Sequence, residues 1–329
     1  MTKFIIKRVL ISIMILFFVM FLVYLLMTNL PTSFIDQKAL QLSQAQGATK
    51  SREEWIADLN AQFGMDKGPV EGYFTWLKSF VKGDFGDSWK YNVRVADKFQ
   101  EVIWRSFALS LISFILQIII AVPLGVLAAR KQYSPVDYTV TVVSLIGISL
   151  PTFFVAELFK LIFSTKLGWL PLNGLVDPRL IDPTAWQHFW DMVYHMILPA
   201  TTLTVVSIGS LMRYTRTNML EVLNADYIRT ARAKGVSESK VIGYHAFRNT
   251  LIPLVTILGG SLPGLFSGAM ITEQLFSVPG IGYISYQAMV AGDIPFTMFY
   301  LAFLSVLTLL GNLISDILYA VVDPRVRVN

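Results

Sequence analysis

Six long apolar stretches divide the chain, each closed by charge, proline or glycine. The first, Val9 to Met27, is nineteen residues of almost unbroken hydrophobicity, enough at about 1.5 Å per helical residue to cross a hydrocarbon core of about 30 Å. It follows Lys3, Lys7 and Arg8, is longer than a signal-peptide core, and has no small-x-small cleavage site after it, so it reads as a retained span. The others run from Ser106 to Ala129, from about Tyr138 to Phe163 with Pro151 in its middle, from about Met192 to Met212, from Leu254 to Ile271, and from about Pro295 to Val322. Gly259, Gly260, Pro263, Gly264 and Gly268 loosen the fifth.

The polar segments between them differ in kind. Leu30 to Arg105 is mixed in charge, carries turn glycines at Gly64, Gly68, Gly72, Gly83 and Gly86, and shows helical patterning around Glu53 to Phe63 and Tyr73 to Val81. It predicts a small domain of helices and turns. Leu167 to Asp191 is a loop rich in proline and tryptophan, and Trp169, Trp186 and Trp190 suit a membrane interface. Glu221 to Pro253 is the longest polar interruption of the second half. Its pattern predicts two short helices broken at Gly235. Leu220, Leu223, Tyr227, Ile228 and Ala231 recur at helical spacing on one face, against a wet face carrying Arg229, Arg232 and Lys234.

Composition agrees with the spans. Across 329 residues, 54% are hydrophobic and only 15% charged, far from the averages of water-soluble domains. The net charge of +5 follows from the loops: fourteen Lys and Arg flank the spans on the side shared by both termini, whereas the short loops opposite hold only Lys166 and Arg179. The charge rule makes the first side cytoplasmic, and Glu221 to Pro253 with it. The long segment after span one then lies outside, since long loops translocate largely regardless of charge. No basic run lies beyond the loops to indicate nucleic acid, and the chain has no cysteine, hence no thiol nucleophile or thiolate ligand.

Catalytic chemistry is thin. His188 and His195 fall near the outer end of span four and His245 in the cytoplasmic loop, with no HExxH or G-x-S-x-G pattern. No Gly-Lys dipeptide occurs anywhere, so the chain holds no G-x-x-x-x-G-K-[ST] phosphate loop, and any ATP that drives it is bound by another chain. Ionisable residues within spans are functional candidates because burying charge in lipid is costly. Glu157 and Lys160 stand one turn apart in span three, and Asp316 shares a face of span six with Asn312. Glu157 either pairs with Lys160 or lines a translocation path, where the breaks at Pro151 and Gly264 would also serve. An ion-coupled secondary transporter remains the rival reading, though it needs carboxylates at the midplane and these lie nearer the span ends.

The run DYIRTARAKGVSESKV, followed by HAFRNTLIP, resembles the cytoplasmic EAA loop of ABC importer permeases, and specifically the peptide branch. Ala231 and Gly235 stand at that motif's last alanine and its glycine, and Pro253 at its closing proline. Arg229 and Thr230 replace the leading Glu-Ala, and eighteen steps separate Gly235 from Pro253, more than in many permeases of the wider family. FGMDKGPVEGYFTWLKSFVKGDFGDS (63–88), IAVPLGVLAAR (120–130), EQLFSVPGIGYISYQAM (273–289) and DILYAVVDPRVR (316–327) are similar to the same branch, so the likeness covers nearly the whole chain.

That resemblance implies an all-α polytopic fold, the type I ABC importer permease fold: a cytoplasmic N-terminus and first helix (1–30), an external domain (31–104), five further helices (105–322) with a coupling loop at 216–253, and a cytoplasmic tail (323–329). It implies a bacterial cytoplasmic-membrane location, a second homologous permease as heterodimer partner, two ATPase subunits that carry ATP and magnesium, and an external binding protein delivering peptides. This chain would itself bind no cofactor and catalyse nothing. Leu223, Asp226, Tyr227, Ile228, Arg229, Ala231, Arg232, Lys234, Gly235 and Pro253 would couple to an ATPase, with Leu223, Tyr227, Ile228 and Ala231 filling its groove and Gly235 making the turn. A nickel complex or glutathione is the alternative cargo within the same family.

Overall fold

The computed structural model describes residues 2–28, 34–44, 50–63 and 68–322. The turn expected at Gly64 and the basic tail with Arg325 and Arg327 lie outside them. The described chain is helical: α1 (Thr2–Thr28), α2 (Phe34–Ser43), α3 (Arg52–Phe63), α4 (Pro69–Val81), α5 (Val95–Arg130), α6 (Pro135–Ser149), α7 (Thr152–Lys166), α8 (Ala185–Leu223), α9 (Asp226–Ala233), α10 (Glu238–Phe266), α11 (Met270–Leu275), α12 (Ile281–Val290) and α13 (Ile294–Val322). Among the described residues, extended pairing is limited to a single bridge between Asp87 and Arg94. Lipid offers no hydrogen bonds, so spans must satisfy their backbones internally, as helices do.

Among the described residues, five helices are long and apolar enough to cross a membrane: Ile6–Met27, Val95–Arg130, Ala185–Leu223, Glu238–Phe266 and Ile294–Leu318. The pair α6 and α7, bent by 102°, makes a sixth when it is counted as one broken span. The sequence pattern placed Pro151 in the middle of this span as a point where it can kink, and the structure makes it a sharp break. Leu150 and Pro151 are both extended, with ψ of 128° and 138°, because proline lacks the donor for the helical ladder and pushes its predecessor out of the α region. The fifth span also differs. It begins in the polar loop at Glu238, ends in a 3₁₀ turn over Leu262–Phe266, and leaves Ile271 in the separate helix α11 after Gly268 at φ +80°.

The chain forms two compact units: residues 1–104 with 281–309, and residues 105–280 with 310–329. In the first, Tyr73 is fully buried, its ring packed against Phe17, Phe21, Tyr24 and Trp76, and its hydroxyl donates to the Phe17 carbonyl at 2.8 Å. Met20, Tyr24 and Met27 of α1 share a core with Ile35, Leu59, Ile294 and Met298. A polar knot closes this unit. The carboxylate of Asp293, fully buried, accepts from the Ser88 hydroxyl at 2.5 Å and the Lys90 amide at 3.1 Å, while the Lys90 ammonium donates to the Gln287 carbonyl at 2.8 Å. Burial pulls the Lys90 pKa below its usual value, with Asp293 opposing, and pushes the Tyr91 phenol up.

In the second unit the helices meet through small residues, the route by which backbones approach closely in lipid. A Cβ on Gly209 of α8 would overlap the Ser144 carbonyl oxygen of α6, and one on Gly147 would sit 3.2 Å from the Val205 carbonyl. Gly125 meets Thr215 and Met212, and Gly311 of α13 meets the Gly260 carbonyl of α10. Gly209→Val should therefore destabilise the chain by about 1–3 kcal/mol, the usual cost of overpacking, and lower its unfolding midpoint in detergent. Gly243→Ala, which meets nothing within 4 Å, should leave that midpoint in place.

Candidate coupling site

The polar stretch after α8 holds the short helix and the turn at Gly235 that the pattern predicted, but the second helix is not short: it runs on from Glu238 as the span α10. α8 ends at Leu223, and Ala225, extended at ψ 148°, opens α9 without a side-chain cap. α9 ends in a Schellman arrangement: Gly235 adopts φ +76°, its amide donates to the Arg232 carbonyl at 3.0 Å, and the Val236 amide donates to the Ala231 carbonyl at 3.2 Å. The space around Gly235 is open, and glycine is required by the left-handed backbone.

The apolar face of α9 is occupied by this chain. Ile228 is completely buried among Ala129 at the end of α5, Met219 of α8, and Val241, Ile242 and Ala246 of α10, with Leu223, Ala231 and Val236 packed around them. Ile228, Leu223 and Ala231 therefore do not present the free face expected for a partner's groove. The wet side holds Tyr227, half exposed, with Asp226 and Arg229 largely exposed and 3.7 Å apart. Arg232 clasps Glu238 across the turn at 2.8 and 3.1 Å, which holds the guanidinium pKa above its usual value. Lys234 is exposed. Pro253 does not close the loop; it lies inside the regular part of α10, Phe247–Ser261.

Two features escaped the sequence reading. Arg216, seen there only as a flanking cation, donates to Asp137 through Nε at 2.5 Å and through its terminal nitrogen at 2.8 Å, clamping α8 to the start of α6. Asp137 is 3% exposed and also accepts from the Tyr133 amide at 3.0 Å. Its signal was a lone acid immediately before the third span, which nothing in sequence joined to a cation 79 positions on. Tyr244 and Arg248 of α10 form a second exposed aromatic and basic pair, with the guanidinium 5.9 Å from the ring centre.

The other candidates lie elsewhere. Glu157 pairs with Lys160 at 3.2 Å, and Lys160 donates to the Leu275 carbonyl at 3.0 Å and faces the Phe276 ring. The carboxylate remains more than half exposed, at 55%. Pro151 marks the bend between α6 and α7, and Gly264 lies in the 3₁₀ end of α10 with open space around it. No hydrogen bond among the described residues joins these three.

A polytopic helical membrane protein with a helix, glycine turn and helix docked on the ends of its spans is the class this geometry defines. The comparisons narrow it. Residues 121–328 match the family described as binding-protein-dependent transport system inner membrane component, and residues 1–91 match the N-terminal part described for such membrane components. The chain is 38% identical over 335 aligned residues to the oligopeptide transport system permease protein AppB of Bacillus subtilis (strain 168), covering 99% of this chain and 100% of that one. It is 34% identical to the oligopeptide transport system permease protein OppB of Haemophilus influenzae (99% and 100% covered), and 35% to the dipeptide transport system permease protein DppB of Alkalihalophilus pseudofirmus (83% and 86% covered). A solved structure of the inward-facing MetNI methionine ABC transporter matches with a TM-score of 0.53 at 18% identity, over 68% of this chain and 96% of that one, a likeness of fold. The chain belongs to the binding-protein-dependent transport system membrane components and is an ABC importer permease.

Two outcomes follow from the geometry. Ile228→Ala should cost about 2–5 kcal/mol, as buried isoleucine truncations do, and raise protease cleavage between Leu223 and Glu238. Asp137→Asn, which leaves Arg216 without its charge partner, should lower the unfolding midpoint, because breaking a buried pair costs about 3–5 kcal/mol; exchanging the two as Asp137→Arg with Arg216→Asp should recover part of the loss.

Proposed function

We propose that this chain is one permease of an ATP-driven importer for peptides in a bacterial cytoplasmic membrane. The observation that carries the reading is likeness along the whole chain to relatives named as oligopeptide and dipeptide permeases. A second, related permease completes the membrane passage, two ATPase subunits bind ATP and magnesium on the cytoplasmic side, and an external binding protein delivers the peptide. Both termini are cytoplasmic. No catalytic step belongs to this chain.

The loop is the mechanical link. With Ile228 committed to the chain's own core, Tyr227, Arg229 and Lys234 are what a cytoplasmic partner meets: one half-exposed ring and two cations suited to a groove with an acidic rim. Closure of the ATPases on nucleotide would push on α9, and its docking on α5, α8 and α10 would carry that push into the spans. Direction then follows from which state each ligand binds more tightly.

The test is purification of the tagged chain with its partners, reconstitution in vesicles with the binding protein, and uptake of radiolabelled tri- to hexa-alanine. ATP-dependent uptake is expected; uptake driven by an ion gradient without ATP would sink the reading. In the same vesicles Tyr227→Ala with Arg229→Ala should reduce retention of the ATPases while the chain still inserts. Gly235→Glu should leave ATP hydrolysis running and lower uptake about tenfold, a loss of roughly 1.4 kcal/mol in coupling; unchanged uptake would show that the turn is not part of the link.

A further inference from the structure

Within the second unit, α5, α8 and α10 enclose a partly open cavity of about 350 Å³, at the small end of the roughly 300–1,000 Å³ usual for ligand sites. None of its lining residues is charged. Its polar groups are Gln117, Ser210, Tyr214 and Ser261, set between the apolar walls of Phe114 and Ile257. Each lies within a helix long enough to span the membrane.

The hydrogen bonding of these groups is partly committed. The Gln117 amide nitrogen donates to the Ser207 carbonyl at 3.0 Å, the Ser210 hydroxyl to the same carbonyl at 2.8 Å, and the Ser261 hydroxyl to the Ile257 carbonyl at 2.9 Å. What remains is mainly acceptor capacity, the Gln117 side-chain oxygen and the two serine oxygens, with the second N–H of the Gln117 amide and a Tyr214 hydroxyl that makes no hydrogen bond among the described residues. Ser210 and Ser261 are exposed in the chain alone. Their hydroxyls, bonded to their own helices, keep oxygen lone pairs that an incoming donor can fill.

We infer that this cavity is a transit site for the main chain of the translocated peptide. Neutral acceptors match backbone N–H donors, the Tyr214 hydroxyl can donate to a peptide carbonyl, and the absence of charge makes the site indifferent to the cargo's side chains. Apolar walls tolerate those side chains without specifying them. The inference rests on the peptide-importer reading and adds to it the residues that hold the cargo within the membrane; Glu157, Pro151 and Gly264 are not among them.

Because the chain has no cysteine, Ser261→Cys and, as a second conservative probe, Ser210→Cys place a unique thiol of this chain at the cavity wall. In the reconstituted complex with cysteine-free partners, maleimide labelling of either thiol should slow severalfold when tri- to hexa-alanine is added during ATP turnover, relative to ATP without peptide. Adding Gln117→Leu with Tyr214→Phe should remove that protection. Labelling indifferent to peptide in a complex that takes peptide up would overturn the site, as would labelling slow in vesicles but fast in detergent whatever the peptide, the mark of a lipid chain in the cavity. A complex without the substitutions that transports no peptide would overturn the importer reading itself, and the site with it.

Discussion

The burial of Ile228 is the contact on which the loop end of this permease depends. A side chain of this size contributes about 1.5–3 kcal/mol when fully removed from water, and here it draws α9 against the ends of three membrane-spanning helices at once. The Schellman turn at Gly235 then returns the chain into α10, with Val236 packing near Ala231 so that the turn and the hydrophobic contact reinforce each other. The clamp of Arg216 on Asp137 fixes α8 a few residues before the loop begins. An eight-residue helix is far too short to be stable alone; docked in this way it becomes part of the span ends.

Much of this was legible in the chain, and the limits have physical causes. Long apolar runs and the asymmetry of flanking Lys and Arg carry span positions, because bilayer thickness admits few solutions. Gly235 was readable as a turn, since few residues other than glycine end a helix with a left-handed backbone. The destination of the α9 apolar stripe was not: periodicity shows that Leu223, Ile228 and Ala231 share a face, and says nothing about whether that face meets a partner or the chain's own helices. Pro151 announced a break without its angle. The Arg216 pair with Asp137 and the Ser88 pair with Asp293 join residues far apart in sequence, and no local pattern encodes such partners. The transit cavity was missed for a related reason, as Gln117, Ser210, Tyr214 and Ser261 are unremarkable singly and acquire meaning only when three helices bring them together.

The helices of the second unit are joined by stiff contacts. Glycine contacts such as Gly209 on Ser144 and Gly311 on Gly260 leave little room for helices to slide. The 102° bend at Pro151 and the 3₁₀ end of α10 interrupt that packing at points where backbone bonds are already broken. Rearrangement by movement of whole packed groups about such breaks fits this distribution better than continuous deformation would.

The central claim is that α9 and the start of α10 move as one body. Spin labels on cysteines introduced at the exposed positions Thr230 and Asn249, in the full complex with cysteine-free partners, report the distance between the two helices by pulsed dipolar spectroscopy. A single narrow distribution that stays the same with and without bound nucleotide is the predicted result. A distribution that shifts or broadens when nucleotide binds would show that α9 gives way at its docking site, and would contradict the account.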